Sequence, residues 1–221
     1  MKKLKKKYLL FDLDGTITES GDGIVNCVQY ALNTLGTDEQ DREKLKQFIG
    51  PPLRESFPEY YGFNRDDTER AVALYRERYE RIGIFECDIY EGIAALIRDC
   101  FEAGYVVVLA TSKPRIYAHK ILKHFNIYEY FTHVVGCELD GRLDTKAEVI
   151  ECAITLCGDE DRSDYIMIGD RFYDIDGAKA LGIESIGVLY GYGSEDELKN
   201  AGADYTAANI SELRRILLNM R

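Results

Sequence analysis

The chain has 221 residues, which is enough for one large domain or two modest ones. Its 28 Lys and Arg residues stand against 39 Asp and Glu, a net charge of −11 at pH 7, and its hydrophobic fraction of 46% is typical of a folded protein. This acidic balance argues against a nucleic-acid scaffold and against binding to anionic membranes. Any anionic substrate must therefore be attracted by local positive charge or by a metal ion.

Five of the positive charges precede a short apolar run near the N-terminus. We expect these lysines to form a frayed, solvated lead-in to a strand: Lys2, Lys3, Lys5, Lys6 and Lys7. Asp12 and Asp14 interrupt the apolar run, which argues against a membrane span and against a signal peptide. The six cysteines include no Cys-x-x-Cys pair, which favours reduced thiols in a cytoplasmic protein over a disulfide framework.

Apolar segments and helical patterns alternate along most of the chain. Strands are predicted at residues 8–13, 105–110, 133–136, 165–168, 185–188 and 203–206. Helices are predicted at residues 92–103, 115–125, 146–156, 174–181 and 210–219. The run at 105–110 is continuous and rich in β-branched residues, as in a parallel sheet covered on both faces. The order predicts a doubly wound parallel sheet of the α/β class.

One block departs from this alternation. Residues 20–85 contain no convincing strand, and helices are predicted there at 23–35, 41–48 and 66–82, separated by the loop at 50–52 and by Pro58. We therefore expect an α/β core of residues 1–18 and 87–221, with an all-helical cap of residues 19–86 inserted after the first strand. Ligands in open α/β sheets bind beyond the carboxyl ends of the strands, so we expect this insert to act as a lid.

Candidate chemistry begins where the first strand ends, in the sequence Asp12-Leu13-Asp14-Gly15. Two carboxylates brought together repel each other, and a divalent cation would offset that repulsion. Mg²⁺ prefers carboxylate, backbone and phosphate oxygens. An ordinary Asp-Gly turn explains the pattern about equally well when it is considered alone.

Further candidate residues follow the later strands. Thr111 and Ser112 come after the strand at 105–110, just before Pro114, which suits the first turn of a helix whose start could bind phosphate. Asp170 and Asp174 follow the strand at 165–168, and Lys146 opens another helix. Each has a purely structural explanation, namely a helix cap, acidic residues in a first helical turn and a solvated lysine. Their meeting at one edge of the sheet favours a functional site.

On these residues the chain resembles the haloacid dehalogenase-like hydrolases, in particular the phosphoglycolate phosphatase-like branch with a helical cap. The resemblance implies that Asp12 is a nucleophile that forms an aspartyl-phosphate and that Asp14 is the general acid and base. It implies phosphate binding by Thr111, Ser112 and Lys146, with Lys146 preferred to Lys113 because the family's lysine precedes the helix that comes before the strand followed by Asp170. It also implies a Mg²⁺ ion bound by the acidic residues that follow the first strand and the strand at 165–168: Asp12, Asp14 (through its backbone carbonyl), Asp170 and, directly or through water, Asp174.

Three functions fit these features. The first is a phosphatase acting on a small phosphorylated metabolite, such as phosphoglycolate or a nucleoside 5′-monophosphate, and the acid at Asp14 favours it over C–Cl or C–P cleavage. The second is a sugar-phosphate mutase of the β-phosphoglucomutase kind, which would return a rearranged sugar phosphate. The third is a receiver-type signalling module, although such modules have about half this length.

The cap is expected to select the substrate, with Arg54 as a binding residue among several unranked candidates: Lys44, Lys46, Tyr60 and Tyr61.

Overall fold

The computed structural model of the protein describes residues 6–219, and this part of the chain forms eight strands and ten α-helices. The strands are β1 (Tyr8–Phe11), β2 (Thr18–Glu19), β3 (Asp88–Ile89), β4 (Val106–Pro114), β5 (His133–Cys137), β6 (Tyr165–Gly169), β7 (Glu184–Val188) and β8 (Tyr205–Ala207). The helices are α1 (Gly21–Thr34), α2 (Arg42–Leu45), α3 (Leu53–Tyr61), α4 (Arg65–Arg81), α5 (Ile93–Glu102), α6 (Arg115–His124), α7 (Lys146–Cys157), α8 (Phe172–Ala180), α9 (Glu195–Ala201) and α10 (Ile210–Leu218).

The described chain divides into two compact units. The core unit comprises the residues up to Thr18 and those from Ile89 onward, and the inserted unit comprises Glu19–Asp88. The short strands β2 and β3 pair with each other where the chain passes between the units. None of the helices in residues 6–219 has the length and apolar character that crossing a membrane requires. All six cysteines are free thiols.

The core unit is built on a six-stranded parallel sheet in the order β5-β4-β1-β6-β7-β8. The central strand β1 pairs with β4 on one side and β6 on the other, so that Leu9 aligns with Val107 and with Ile166. Every residue of β1 is buried, which explains its uninterrupted apolar sequence. The predicted doubly wound α/β class is confirmed.

Helices α7 and α8 cover one face of this sheet. Leu10, Val108 and Met167 on the strands pack against Ile150 of α7 and Ala178 of α8 in one buried cluster. Burying such side chains contributes about 1.5–3 kcal/mol for each large aliphatic residue. The packing fixes both helices beneath the sheet, with their N-terminal ends at the edge where β1, β4 and β6 end.

The end of one strand and the presence of one helix in the core unit differ from the sequence expectation. Strand β4 continues to Pro114 and α6 begins only at Arg115, so Pro114 precedes the helix instead of lying in its first turn. Helix α9 was not predicted from sequence, because Leu198 is its one buried residue and gives no apolar periodicity. Ser194 starts this helix by accepting a hydrogen bond from the Glu197 amide.

The inserted unit corrects the expectation that Pro58 interrupts its helices. Pro58 lies inside α3, although its ring removes one backbone hydrogen bond. The neighbouring Phe57 is fully buried, with its ring centroid 4.9 Å from that of Phe48 and 5.8 Å from that of Phe63. This aromatic packing offsets the lost bond. The helix predicted at 41–48 is also shorter, because α2 gives way to a 3₁₀ turn at Lys46–Phe48.

The expectation of frayed N-terminal lysines is wrong for Lys6. Its side chain is buried, its ammonium lies 2.7 Å from the Glu184 carboxylate, and it donates a hydrogen bond to the Ser163 carbonyl. Lys7 is half-exposed and pairs with Asp159 at 3.1 Å. Lys2, Lys3 and Lys5 lie outside the described residues. Lys6, which precedes β1, is therefore held against the core unit by these contacts.

We expect Phe57→Ala to lower the free energy of unfolding of the inserted unit by about 3–5 kcal/mol, since it removes a buried ring and leaves a cavity. Urea unfolding followed by circular dichroism measures this change. Phe85→Ala is a suitable control, because Phe85 belongs to the same unit and is 52% exposed. A similar loss for both variants would contradict the role given to the Phe57 cluster.

Candidate active site

The candidate residues of the core unit lie at the carboxyl ends of three adjacent strands. Asp12 directly follows β1, Thr111 lies near the end of β4, and Asp170 directly follows β6. Because β4, β1 and β6 are parallel neighbours, their carboxyl ends meet at one edge of the sheet. One carboxylate oxygen from each of Asp12, Asp170 and Asp174 lies within 4.8 Å of the other two, and all three residues are buried.

Lys146 links two of these carboxylates. Its ammonium lies 2.7 Å from Asp12 Oδ1 and 2.7 Å from Asp174 Oδ1, and it donates a hydrogen bond to the Ala110 carbonyl at 3.1 Å. The lysine is the first residue of α7, whose start is fixed by a capping box between Thr145 and Glu148. The structure therefore brings Lys146 to Asp12 and Asp174.

The stem of Lys146 passes close to α8 at Gly177. A Cβ at Gly177 would lie 2.9 Å from Lys146 Cγ and 3.2 Å from its Cβ. Because Gly177 has no side chain, the Lys146 side chain can pass α8 and reach Asp12. The buried Val149 and Ile150 follow on α7 and hold the helix against the sheet.

Burial dominates the electrostatics of the cluster. It raises the pKa of Asp12 to about 6, although Lys146 acts in the opposite direction. Burial lowers the pKa of Lys146, but the charges of Asp12 and Asp174 more than offset this, so its pKa is raised above the ordinary value. Burial, followed by the charges of Asp174 and Asp12, raises the pKa of Asp170 well above its ordinary value. One ammonium among three buried carboxylates leaves an excess of negative charge.

The oxygens of this cluster fit a magnesium ion. Asp170 Oδ2 accepts a hydrogen bond from the Tyr192 amide at 2.7 Å, whereas Asp170 Oδ1 is buried and meets no hydrogen-bond partner within residues 6–219. Burying a carboxylate oxygen without a hydrogen-bond partner costs free energy unless another group, such as a metal ion, binds it. The donor set consists of carboxylate oxygens, which Mg²⁺ prefers.

Asp14 stands apart from the three clustered carboxylates. Its Oδ2 lies 3.0 Å from the ammonium of Lys113, which is itself buried. Thr111 is buried, and its hydroxyl accepts a hydrogen bond from the Lys113 amide, whereas Ser112 is half-buried between them. The Asp14 carboxylate is therefore held by Lys113, outside the group formed by Asp12, Asp170 and Asp174.

Arg54 belongs to the inserted unit. It lies on α3, and its guanidinium donates two hydrogen bonds to the carboxylate of Glu69, at 2.7 and 3.1 Å. Its role in substrate binding stays a prediction.

Sequence reasoning missed a loop after β7 that surrounds Asp170. The Tyr192 amide binds Asp170, and a Cβ at Gly191 would lie 2.4 Å from Asp170 Cβ and 2.4 Å from the Gly15 carbonyl. The Tyr190 hydroxyl donates a hydrogen bond to the Thr16 carbonyl at 3.1 Å. The sequence Gly191-Tyr192-Gly193, separated by two residues from the strand predicted at 185–188, was the available signal, because glycine permits such close backbone approach.

The fold and the site together define an α/β enzyme whose acidic cluster lies at the carboxyl edge of a parallel sheet. The family model described as haloacid dehalogenase-like hydrolase matches residues 9–188. A 5′-nucleotidase from Pseudomonas aeruginosa is 40% identical over 214 residues, covering 97% of this chain and 96% of the relative. The tyrosine-protein kinase PtkA of Mycobacterium tuberculosis is 34% identical over 213 residues, covering 96% of this chain and 72% of that relative.

Among solved structures, that of a predicted phosphatase from Clostridium acetobutylicum has a TM-score of 0.93 and 44% identity, covering 97% of this chain and 99% of that one. The chain belongs to the haloacid dehalogenase-like hydrolase family. It is a phosphatase of that family.

We expect Gly191→Ala to displace the carboxylate of Asp170, because the new methyl group would overlap Asp170 and the Gly15 carbonyl. Since a displacement of about 1 Å at a catalytic group can lower a rate 10²-fold, kcat/KM should fall by at least tenfold. Gly187→Ala is the control, since the nearest contacts of its Cβ are all atoms of the Leu198 side chain. Steady-state assays of both variants test this, and unchanged kcat/KM in Gly191→Ala would contradict it.

Proposed function

We propose that this protein is a Mg²⁺-dependent phosphatase that hydrolyses small phosphate monoesters through an aspartyl-phosphate on Asp12. One observation carries the proposal: the buried Asp12 carboxylate is held by Lys146 beside Asp170 and Asp174, at the carboxyl end of the first strand. An ionised carboxylate is a nucleophile at neutral pH, but it repels a phosphate dianion unless positive charge lies between them.

In the first step, an Asp12 carboxylate oxygen attacks phosphorus. The bond to the leaving-group oxygen breaks, its electron pair goes to that oxygen, and Asp14 donates the proton. In the second step, Asp14 takes a proton from water as the water oxygen attacks phosphorus. The bond between Asp12 and phosphorus then breaks, which releases orthophosphate and restores the carboxylate. The net reaction consumes one monoester and one water molecule.

The remaining residues stabilise charge during these steps. Lys146 is placed to neutralise phosphoryl oxygens beside Asp12, and the Thr111 hydroxyl and Ser112 amide are proposed to bind them. A magnesium ion held by Asp12, Asp170 and the Asp14 carbonyl, with Asp174 beside them, would supply Lewis-acid stabilisation of the phosphoryl charge. Asp170 Oδ1, which meets no hydrogen-bond partner among the described residues, supports this assignment of the metal.

Nucleoside 5′-monophosphates are the proposed substrate class. The 5′-nucleotidase of Pseudomonas aeruginosa supports this choice, since the identity of 40% extends over nearly the whole of both chains. A phosphate-release screen should compare these nucleotides with phosphoglycolate and hexose phosphates. Free orthophosphate from a nucleoside 5′-monophosphate is the expected result. Conversion of a sugar phosphate to its isomer without net phosphate release would instead indicate a mutase.

We also propose that the inserted unit selects the substrate, because its residues, Glu19–Asp88, follow the first strand and its aspartates and end before β4. Arg54 is the candidate residue for this role on the inserted unit. Its two hydrogen bonds to Glu69 would have to open, or be shared, for the guanidinium to bind a phosphate or nucleobase group.

We expect removal of divalent metal to abolish phosphatase activity and added Mg²⁺ to restore it, because the cluster carries excess negative charge that repels phosphate. Asp170→Asn should raise the Mg²⁺ concentration for half-maximal rate by about tenfold or more. Asp176→Asn, on the exposed side of α8, is the matched control. Full activity after exhaustive chelation would contradict the proposed role of the metal ion.

We expect Asp12→Asn to show no turnover, because an amide does not form the acyl-phosphate. In the wild-type protein, acid quenching during turnover should trap one phosphoryl group, which peptide mass spectrometry should locate on Asp12. The Asp176→Asn variant again serves as the control for a lost carboxylate on the same unit. Phosphate trapped on another residue, or turnover retained by Asp12→Asn, would overturn the assignment of the nucleophile.

A further inference from the structure

We propose that Lys113 is a positioning residue, whose ammonium holds the Asp14 carboxylate in the orientation from which Asp14 exchanges a proton with the leaving group. This inference rests on the proposed function, since it concerns the step assigned to Asp14. Lys113 has no part in binding phosphate in this proposal, because that role belongs to Lys146.

The contact itself is short and shielded from solvent. The Lys113 ammonium lies 3.0 Å from Asp14 Oδ2, and the Lys113 side chain is 5% exposed. Asp14 Oδ1 is also buried but has no hydrogen-bond partner within residues 6–219. The ion pair therefore distinguishes the two carboxylate oxygens. Oδ2 is held by the lysine, and Oδ1 is left to bond with a substrate oxygen.

An irregularity in the sheet delivers Lys113 to this position. Thr111 of β4 pairs with Gly136 of β5, and Pro114 pairs with the very next residue, Cys137. Two residues of β4, Ser112 and Lys113, thus have no counterpart on β5, and the strand must bulge. Bulges re-aim side chains and are frequent beside active sites. The Lys113 amide donates to the Thr111 hydroxyl at 3.2 Å, which ties the bulge to another site residue.

The glycine opposite the bulge maintains it. A Cβ at Gly136 would lie 2.4 Å from the Lys113 carbonyl oxygen and 2.9 Å from the Arg115 amide nitrogen. A backbone carbonyl does not move aside as a flexible side chain does. Because Gly136 has no side chain, the β4 backbone can follow the path that places Lys113 against Asp14.

The two lysines have separate partners in the site. Lys146 contacts Asp12 and Asp174, whereas Lys113 contacts Asp14, so each carboxylate of the Asp12-Leu13-Asp14 sequence is held by a different cation. A buried ion pair contributes little net stability, because the loss of solvation offsets most of the attraction. Fixing the direction of the Asp14 carboxylate is a role that does not depend on such a net gain.

The test compares two substrates that need different amounts of acid assistance. A nucleoside 5′-monophosphate has an alkoxide leaving group that requires a proton, whereas 4-nitrophenyl phosphate has a leaving group that hardly does. General acid catalysis contributes about 10²–10⁴-fold. If Lys113 positions the acid, Lys113→Met should lower kcat/KM for the nucleotide by about tenfold or more relative to 4-nitrophenyl phosphate, without matching loss of thermal stability.

Two further variants complete the experiment. In the Asp14→Asn background, Lys113→Met should leave the ratio of the two substrates nearly unchanged, because the group it positions is gone. Lys6→Met is the matched control, since Lys6 is also buried and ion-paired in the core unit, with Glu184. It should leave the ratio at the wild-type value. If Lys113→Met does not fold, Gly136→Ala replaces it, because the added methyl group shifts the bulge with the lysine retained.

An equal loss on both substrates, an unchanged ratio, or a full additional effect in the Asp14→Asn background would overturn the positioning role. Failure of the proposed function has a different signature. If Asp14→Asn itself leaves the substrate ratio unchanged, Asp14 is not the general acid, whatever the Lys113 variants do. Absence of phosphate release from both substrates by the wild-type protein would refute the proposed function directly.

Discussion

The arrangement of the candidate active site depends on the ion pairs of Lys146 with Asp12 and Asp174. Carboxylates that are buried together repel each other, and each loses the solvation that stabilises its charge. A single ammonium 2.7 Å from each of two carboxylates offsets part of that penalty. The position of this ammonium depends in turn on the capping of α7, on the packing of α7 beneath the sheet and on the space left by Gly177.

Close backbone approach is the second constraint on the site. Gly15, Gly191 and Gly193 all lie so near Asp170 that a Cβ at any of them would overlap it. Gly136 does the same for the β4 bulge. Asp170 is therefore enclosed by backbone segments packed directly against it, which leaves its carboxylate little space in which to reorient. A cluster so confined keeps its excess charge in place, which favours binding of a cation over rearrangement.

The polar residues of the site divide into two neighbouring groups with different electrostatics. Asp12, Asp170, Asp174 and Lys146 form a group with excess negative charge, whereas Asp14 and Lys113 form a balanced pair. This division matches the two tasks of phosphoryl transfer, namely stabilising charge on phosphorus and moving a proton to the leaving oxygen. Asp12 and Asp14 are separated by a single residue, but each contacts its own lysine. The two carboxylates therefore do not share one cation.

The α/β class and the strand ends that carry Asp12, Thr111 and Asp170 could be predicted from the amino-acid sequence. Apolar runs and helical periodicity depend on local sequence, and strand order follows general rules of chain connection. Other features depend on contacts between residues far apart in the chain and could not be predicted from local sequence. Lys6 is buried because Glu184 lies opposite it, and α3 tolerates Pro58 because Phe57 packs against Phe48 and Phe63. The loop around Asp170 and the pairing of Lys113 with Asp14 have the same origin. Both depend on how neighbouring strands end and align, and that register is set by packing across the whole sheet.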